Sequence, residues 1–97
     1  MRSTWSPLAV QRVLEAAEFV ALDKPEAAVR WAESAFKDVE RLGDFPESGR
    51  MVPEIGRDEV REIVHGSFRI VYRLESEQVF ILTVRHSRRP FDPSETD

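Results

Sequence analysis

An α+β domain is the architecture that the 97-residue sequence predicts, and three observations carry that reading. In the first half, apolar residues recur at helical spacing. After residue 58 the period falls to two. Between these halves lies 44-DFPESGRMVPEIGRD-58, whose two prolines and two glycines mark a loop. The expected order is β-α-α-β-β-β: an N-terminal strand, a helical hairpin, then an antiparallel three-stranded sheet, in a single domain over residues 1–97.

Each element has its own signal. Residues 1-MRSTWS-6 are too few for a helix, and Thr4 and Trp5 favour extended structure. Ser6 followed by Pro7 reads as an N-cap with proline at the first helical position. A stripe of Leu8, Val10, Val13, Leu14, Ala17, Val20 and Ala21 continues from there. In 23-DKPE-26 the pattern restarts, with Asp23 and Glu26 placed as a capping box. The second stripe is Ala28, Trp31, Ala32, Ala35, Val39 and Leu42, with Gly43 as its stop, and Trp31 and Phe36 are expected in the core. So short a break folds the helices into an antiparallel hairpin. Val60 to Val64 is a strand, and His65-Gly66 marks a tight turn. In 68-FRIVYRL-74, Phe68, Ile70, Tyr72 and Leu74 share one face, and Arg69, Val71 and Arg73 the other. The last strand, 78-QVFILTVRH-86, alternates between Val79/Ile81/Thr83 and Phe80/Leu82/Val84, apolar on both faces. Such a strand needs cover on both faces. The hairpin supplies one; the other falls to the chain's own tail or to a second protein. Residues 90–97 are expected to be loose beyond Phe91.

Composition excludes several classes. There is no cysteine, hence no disulfide or thiolate metal site. His65 and His86 have no ligand partner at metal-binding spacing, so no metal or other cofactor is expected. No stretch approaches the roughly 18 apolar residues of a membrane span, and the N-terminus lacks the pattern of a secretion signal. The expected location is the cytoplasm. No glycine-rich phosphate loop occurs, since GRMVPEIG precedes no helix. Ser67 and Ser87 stand near histidines without any sign of an oxyanion hole.

Charge is unevenly spread on a chain of net −4. Residues 1–56 carry 7 basic and 10 acidic side chains, residues 57–90 carry 7 and 5, and the tail adds Asp92, Glu95 and Asp97. All cations of the middle block are arginine, whose planar fork suits carboxylate or phosphate. They culminate in 84-VRHSRRPFD-92, with Arg85, His86, Arg88 and Arg89 beside Phe91.

The element order, with 45-FPESGRMVPEIG-56, 60-VREIVHGSFRIVYRL-74 and 79-VFILTVRHSRR-89, closely resembles the ParE branch of the RelE/ParE toxin superfamily, from Trp5 to about Arg89. The resemblance implies a type II toxin neutralised by a cognate antitoxin in a hetero-oligomeric complex. ParE-like members poison DNA gyrase, whereas RelE-like members cut messenger RNA on the ribosome. An endoribonuclease needs an acid, a base and cations around the phosphate. In the nuclease alternative His86 would act with Arg61, Arg69 and Arg88. The C-terminal aromatic position holds Phe91, which has no proton to exchange, and Tyr72 lies on the core face of its strand. Net negative charge also opposes approach to a polyanion. The residues therefore favour a gyrase-directed binding module with no catalytic residues. Its expected partner-binding set is Arg61, Arg69, Arg73, Arg85, His86, Arg88, Arg89 and Phe91.

Overall fold

The computed structural model describes all residues from Met1 to Asp97. Strand β1 (Arg2–Trp5) leads into helices α1 (Pro7–Asp23) and α2 (Pro25–Asp44), followed by β2 (Arg50–Met51), β3 (Val60–His65), β4 (Phe68–Leu74) and β5 (Gln78–His86). A short 3-10 helix, Pro93–Thr96, closes the chain. The sheet runs β1-β5-β4-β3-β2. Only the β1–β5 pairing is parallel, which follows from the helical hairpin carrying the chain across the sheet between them.

Ser6 fastens the hairpin to the sheet. Its hydroxyl accepts the Ala9 N–H at 2.9 Å and donates to the Leu82 carbonyl at 3.0 Å. Between the helices, Lys24 alone is the linker. Pro25 pushes the residue before it out of the helical region, and Lys24 is extended (φ −142, ψ 105). The expected capping box is absent: Asp23 ends α1, and no side chain caps α2. Gly43 does not stop α2 either, since the helix reaches Asp44. Its lack of a side chain serves the N-terminus instead: the Met1 ammonium donates to the Gly43 carbonyl at 2.8 Å, and a Cβ here would sit 2.5 Å from the Met1 carbonyl oxygen.

The main core lies between hairpin and sheet. Ala9, Val13 and Ala16 of α1 and Ala35, Val39 and Leu42 of α2 meet Phe68, Ile70 and Tyr72 of β4 and Val79, Ile81 and Val84 of β5. The α1 stripe is rotated from the expected one. Small alanines face the sheet, and Val10 and Leu14 stand in water. Phe36, expected inside, is 45% exposed and packs on Trp5 at 5.2 Å. Trp31 is half-buried at the core edge, 5.1 Å from Phe68.

A second, smaller core covers the other face, with Val52, Val60, Val71 and Leu82 buried among Ile55, Phe80 and Phe91. The chain covers its own sheet. Residues 44–58 are not all loop, for β2 pairs with β3 (Arg50↔Glu62, Met51↔Arg61) and delivers Val52. A β-bulge corrects the expected alternation of β5. Val71 pairs with Thr83 and Tyr72 with Ile81, leaving Leu82 as the extra residue. Thr83 therefore joins Leu82 on the second face, and Val84 returns to the hairpin side.

The tail is not loose, as expected from sequence, but tied. Thr96 is 2% exposed. The Glu95 carboxylate accepts from Thr83 at 2.6 Å, Arg12 at 2.8 Å and Arg85 at 3.2 Å. Glu95→Ala should therefore cost about 2–3 kcal/mol by leaving two partly buried guanidiniums without their acceptor. Urea denaturation reads this directly. A loss within about 0.5 kcal/mol, typical of a surface site, would mean that the tail contributes nothing.

Candidate functional site

The eight residues singled out by sequence divide between the two faces of the sheet. Cross-strand pairing decides their sides. Arg69 pairs with Arg85 on the face of the smaller core, whereas Phe68 pairs with His86 on the hairpin face. Arg61 pairs with Tyr72, also on the hairpin face.

Arginines directly opposite each other repel. Here each has its own acid. Arg69, 7% exposed, gives its Nε–H to Glu62 at 2.6 Å and both terminal nitrogens to Glu54 at 2.9 and 2.7 Å. Glu62 is 1% exposed, and its second oxygen takes Arg50 at 2.6 Å. The Phe91 ring lies 4.8 Å from the Arg69 guanidinium, a cation–π contact that closes this chain of charges from outside. Bonding from Arg69 holds the Glu54 carboxyl down at about 2, and the Glu54 and Glu62 bonds raise the Arg69 pKa against its burial. Arg85 is bound to Glu95 and to the Pro90 carbonyl. Burial pushes the Glu95 carboxyl upward, but its bonds from Arg12 and Thr83 outweigh this and leave it lowered.

Other candidates are also committed within the chain. Arg73 pairs with Glu75 at 2.8 Å and lies over Phe80. Arg61 pairs with Asp58 at 2.8 Å and donates to the Gly49 carbonyl at 2.9 Å. Nearby, the Tyr72 hydroxyl accepts the Gly49 N–H and donates to the Pro46 carbonyl, and burial raises its pKa. His86 packs edge-on against Phe19 and Phe68, with ring centres 5.4 and 5.1 Å apart. Its Nδ1 accepts the Arg88 backbone N–H at 3.1 Å. Only Arg88 and Arg89 of the eight present exposed guanidiniums with no acceptor in the chain.

Sequence reasoning missed the acids. The Glu62 position was recoverable, because the two-residue turn at Gly66 (φ 61) sets the register and places Glu62 diagonal to Arg69. Glu54, Glu95 and Arg12 gave no such signal. Two come from aperiodic segments, and the third sits on a helix where any charge looks solvated.

Apart from the two-residue β2, this is a β-α-α-β-β-β arrangement, a helical hairpin against a mostly antiparallel sheet, and it has the RelE/ParE-like fold. A solved chain of the chromosomal ParDE toxin–antitoxin system of P. aeruginosa superposes with a TM-score of 0.72 at 20% identity, over 89% of this chain and 95% of that one. A chain of the toxin–antitoxin complex RelBE2 from Mycobacterium tuberculosis gives 0.57 at 21% identity, over 88% and 95%. No curated protein sequence matches the chain. Residues 4–91 match the family described as ParE toxin of type II toxin–antitoxin system, parDE, and the chain belongs to that family. No helix is long and apolar enough to cross a membrane.

Two outcomes test the charge chain. Glu62→Ala removes the acceptor of the buried Arg69 Nε–H and of the largely exposed Arg50 while Glu54 still holds Arg69, and should cost about 1–3 kcal/mol in urea denaturation. Glu54 has a folded pKa of about 2, against 4.5 for the free side chain. It thus binds its proton less readily folded than unfolded. Its contribution is complete above about pH 4.5 and fades as pH falls toward about 2. Thermal melts of Glu54→Gln should lose less stability across that window than the parent's; identical slopes would count against the pairing.

Proposed function

We propose that the chain is a ParE-like toxin that inhibits DNA gyrase by binding it, and that a cognate antitoxin neutralises it by direct contact in a hetero-oligomeric complex. One observation supports the choice against RNA cleavage: of the three arginines that the nuclease alternative sets beside His86, only Arg88 adjoins it, while Arg61 and Arg69 stand apart. His86 lies on the hairpin face and Arg69 on the opposite face, where Glu54 and Glu62 already occupy it. Arg61 shares the face of His86, but their β4 partners Tyr72 and Phe68 are four residues apart, roughly 13 Å along the strand. An acid, a base and a phosphate-binding cation must meet within hydrogen-bond reach of one phosphate. The family membership supports the toxin role, and the two superposed chains come from toxin–antitoxin systems.

Arg88 and Arg89 are the cations left for a protein partner. Their forks can grip carboxylates in bidentate geometry, each exposed pair adding about 0.2–1 kcal/mol. The decisive measurement runs gyrase supercoiling and ribosome-bound mRNA cleavage on the same purified protein. Inhibited supercoiling with intact mRNA is expected. Replacing Arg88 and Arg89 together by alanine should weaken inhibition roughly two- to thirtyfold, and lysine at both should restore only part, because the fork is lost. Cleavage of mRNA that disappears in His86→Ala would overturn the reading in favour of an mRNA interferase.

A further inference from the structure

A half-open cavity of about 270 Å³ lies where α1 passes the end of β5. It lies near the lower end of the roughly 300–1,000 Å³ of ligand sites, with room for an inserted side chain. Phe19, Phe68 and Val84 form its apolar walls, and His86 and Arg89 line its polar side. Phe19 remains 51% exposed, so folding leaves much of this aromatic wall in water.

The polar side has more donors than acceptors. Arg12, Arg85 and Arg89 meet there with two carboxylates, Glu15 and Glu95; Arg12 bonds to both, and Arg85 shares Glu95. The Nε–H groups of Arg12 and Arg85 are buried without any acceptor. Arg89 has no carboxylate bonded to it. Because His86 Nδ1 accepts the Arg88 N–H, its ring proton is assigned to Nε2, which has no partner in the chain. A guanidinium that has Glu15 nearby but no carboxylate bonded to it, and an imidazole N–H without a partner, thus stand beside a hydrophobic slot.

We propose that this cavity docks an acidic peptide segment of a protein partner. The segment inserts one apolar side chain between Phe19 and Phe68 and sets a neighbouring carboxylate against Arg89 and His86. The proposal rests on the reading that the chain acts by holding proteins. Charge complementarity selects the occupant. A wholly apolar segment would leave the donors unanswered, and a nucleic-acid strand has no aliphatic side chain for the slot and would bring a string of phosphates to a site with one guanidinium in excess of its carboxylates.

The test titrates the isotopically labelled full chain, by NMR, with a short acetylated and amidated peptide holding a leucine–glutamate pair. Its leucine–glutamine counterpart and an oligouridylate serve as comparison probes. Shifts centred on Phe19, Val84, His86 and Arg89 are expected with the first peptide. Loss of the carboxylate, or Arg89→Ala, should weaken binding about fivefold. Phe19→Ala should weaken it as well; Arg89 is exposed and its alanine variant keeps the parent's melting behaviour, whereas Phe19 also packs on Phe68 and His86, so its variant is titrated below the melting transition measured for it. Equal affinity for the glutamine peptide, shifts mapping elsewhere, or preferential oligouridylate binding at the cavity would each overturn the proposal. Supercoiling assays on the same samples separate the two readings. Peptide binding by a parent that leaves gyrase active sinks only the gyrase target, whereas gyrase inhibition without peptide binding sinks only the docking site.

Discussion

β5 is the central constraint on this fold. It lies between β1 and β4 and is apolar on both faces, so neither face can be left to water. Every other segment is disposed around that fact. The helical hairpin lies on one side, drawn close by Ala9, Ala16 and Ala35. On the other, β2 brings Val52, and the tail brings Phe91 and the Glu95 anchor. A domain this small has little core to spare, and splitting it into two layers makes even eight residues of tail structural.

The two layers solve the same problem with different chemistry. On the hairpin side, aromatic and aliphatic groups close the core, and the few polar groups sit at its margins. His65 with Asp38 is one such margin, its Nδ1 2.6 Å from the carboxylate. On the tail side the apolar cluster is only four fully buried residues, and around it runs an ionic chain from Arg50 through Glu62 and Arg69 to Glu54. Buried ion pairs add little net stability over apolar packing, yet they are costly to break singly. Their effect here is to specify how the 50–54 segment seats on the sheet. The same chain of charges takes Arg69 out of circulation, so a strand that looks cationic in sequence presents almost no free charge on that face.

Much of this was legible in the sequence. Ser6-Pro7, the apolar stripe of α2, the turn at Gly66 and the bounds of β4 and β5 all follow from local chemistry, whereas the buried face of α1 is set by alanines that the larger Val10 and Leu14 outweighed in the pattern. Interactions between segments far apart were not legible. Glu95 meets Arg12 across 83 positions, and nothing periodic announces a carboxylate in a short acidic tail. DKPE looks like a capping box because Asp23 and Glu26 have the right spacing, but Pro25 leaves a single linker residue and no room for a cap. The candidate site followed the same pattern. The arginines were visible, and the acids that neutralise most of them were not, so the free cations shrink to Arg88 and Arg89.

The bulge at Leu82 bears on more than packing. Because side chains alternate along a strand, one extra residue inverts the facing of everything that follows it. Were the same residues in regular alternation, His86 would emerge on the side of Arg69, and Arg85 would turn toward the helices. Deleting the extra residue would not have that effect: with Leu82 gone, Thr83 still meets Val71 and His86 still meets Phe68, so both keep their faces. The facing turns on whether the strand holds all its residues with one of them bulged out or draws them into regular alternation. In a fold of this kind, the surface chemistry at a strand's end is thus set by how its core middle accommodates one surplus residue.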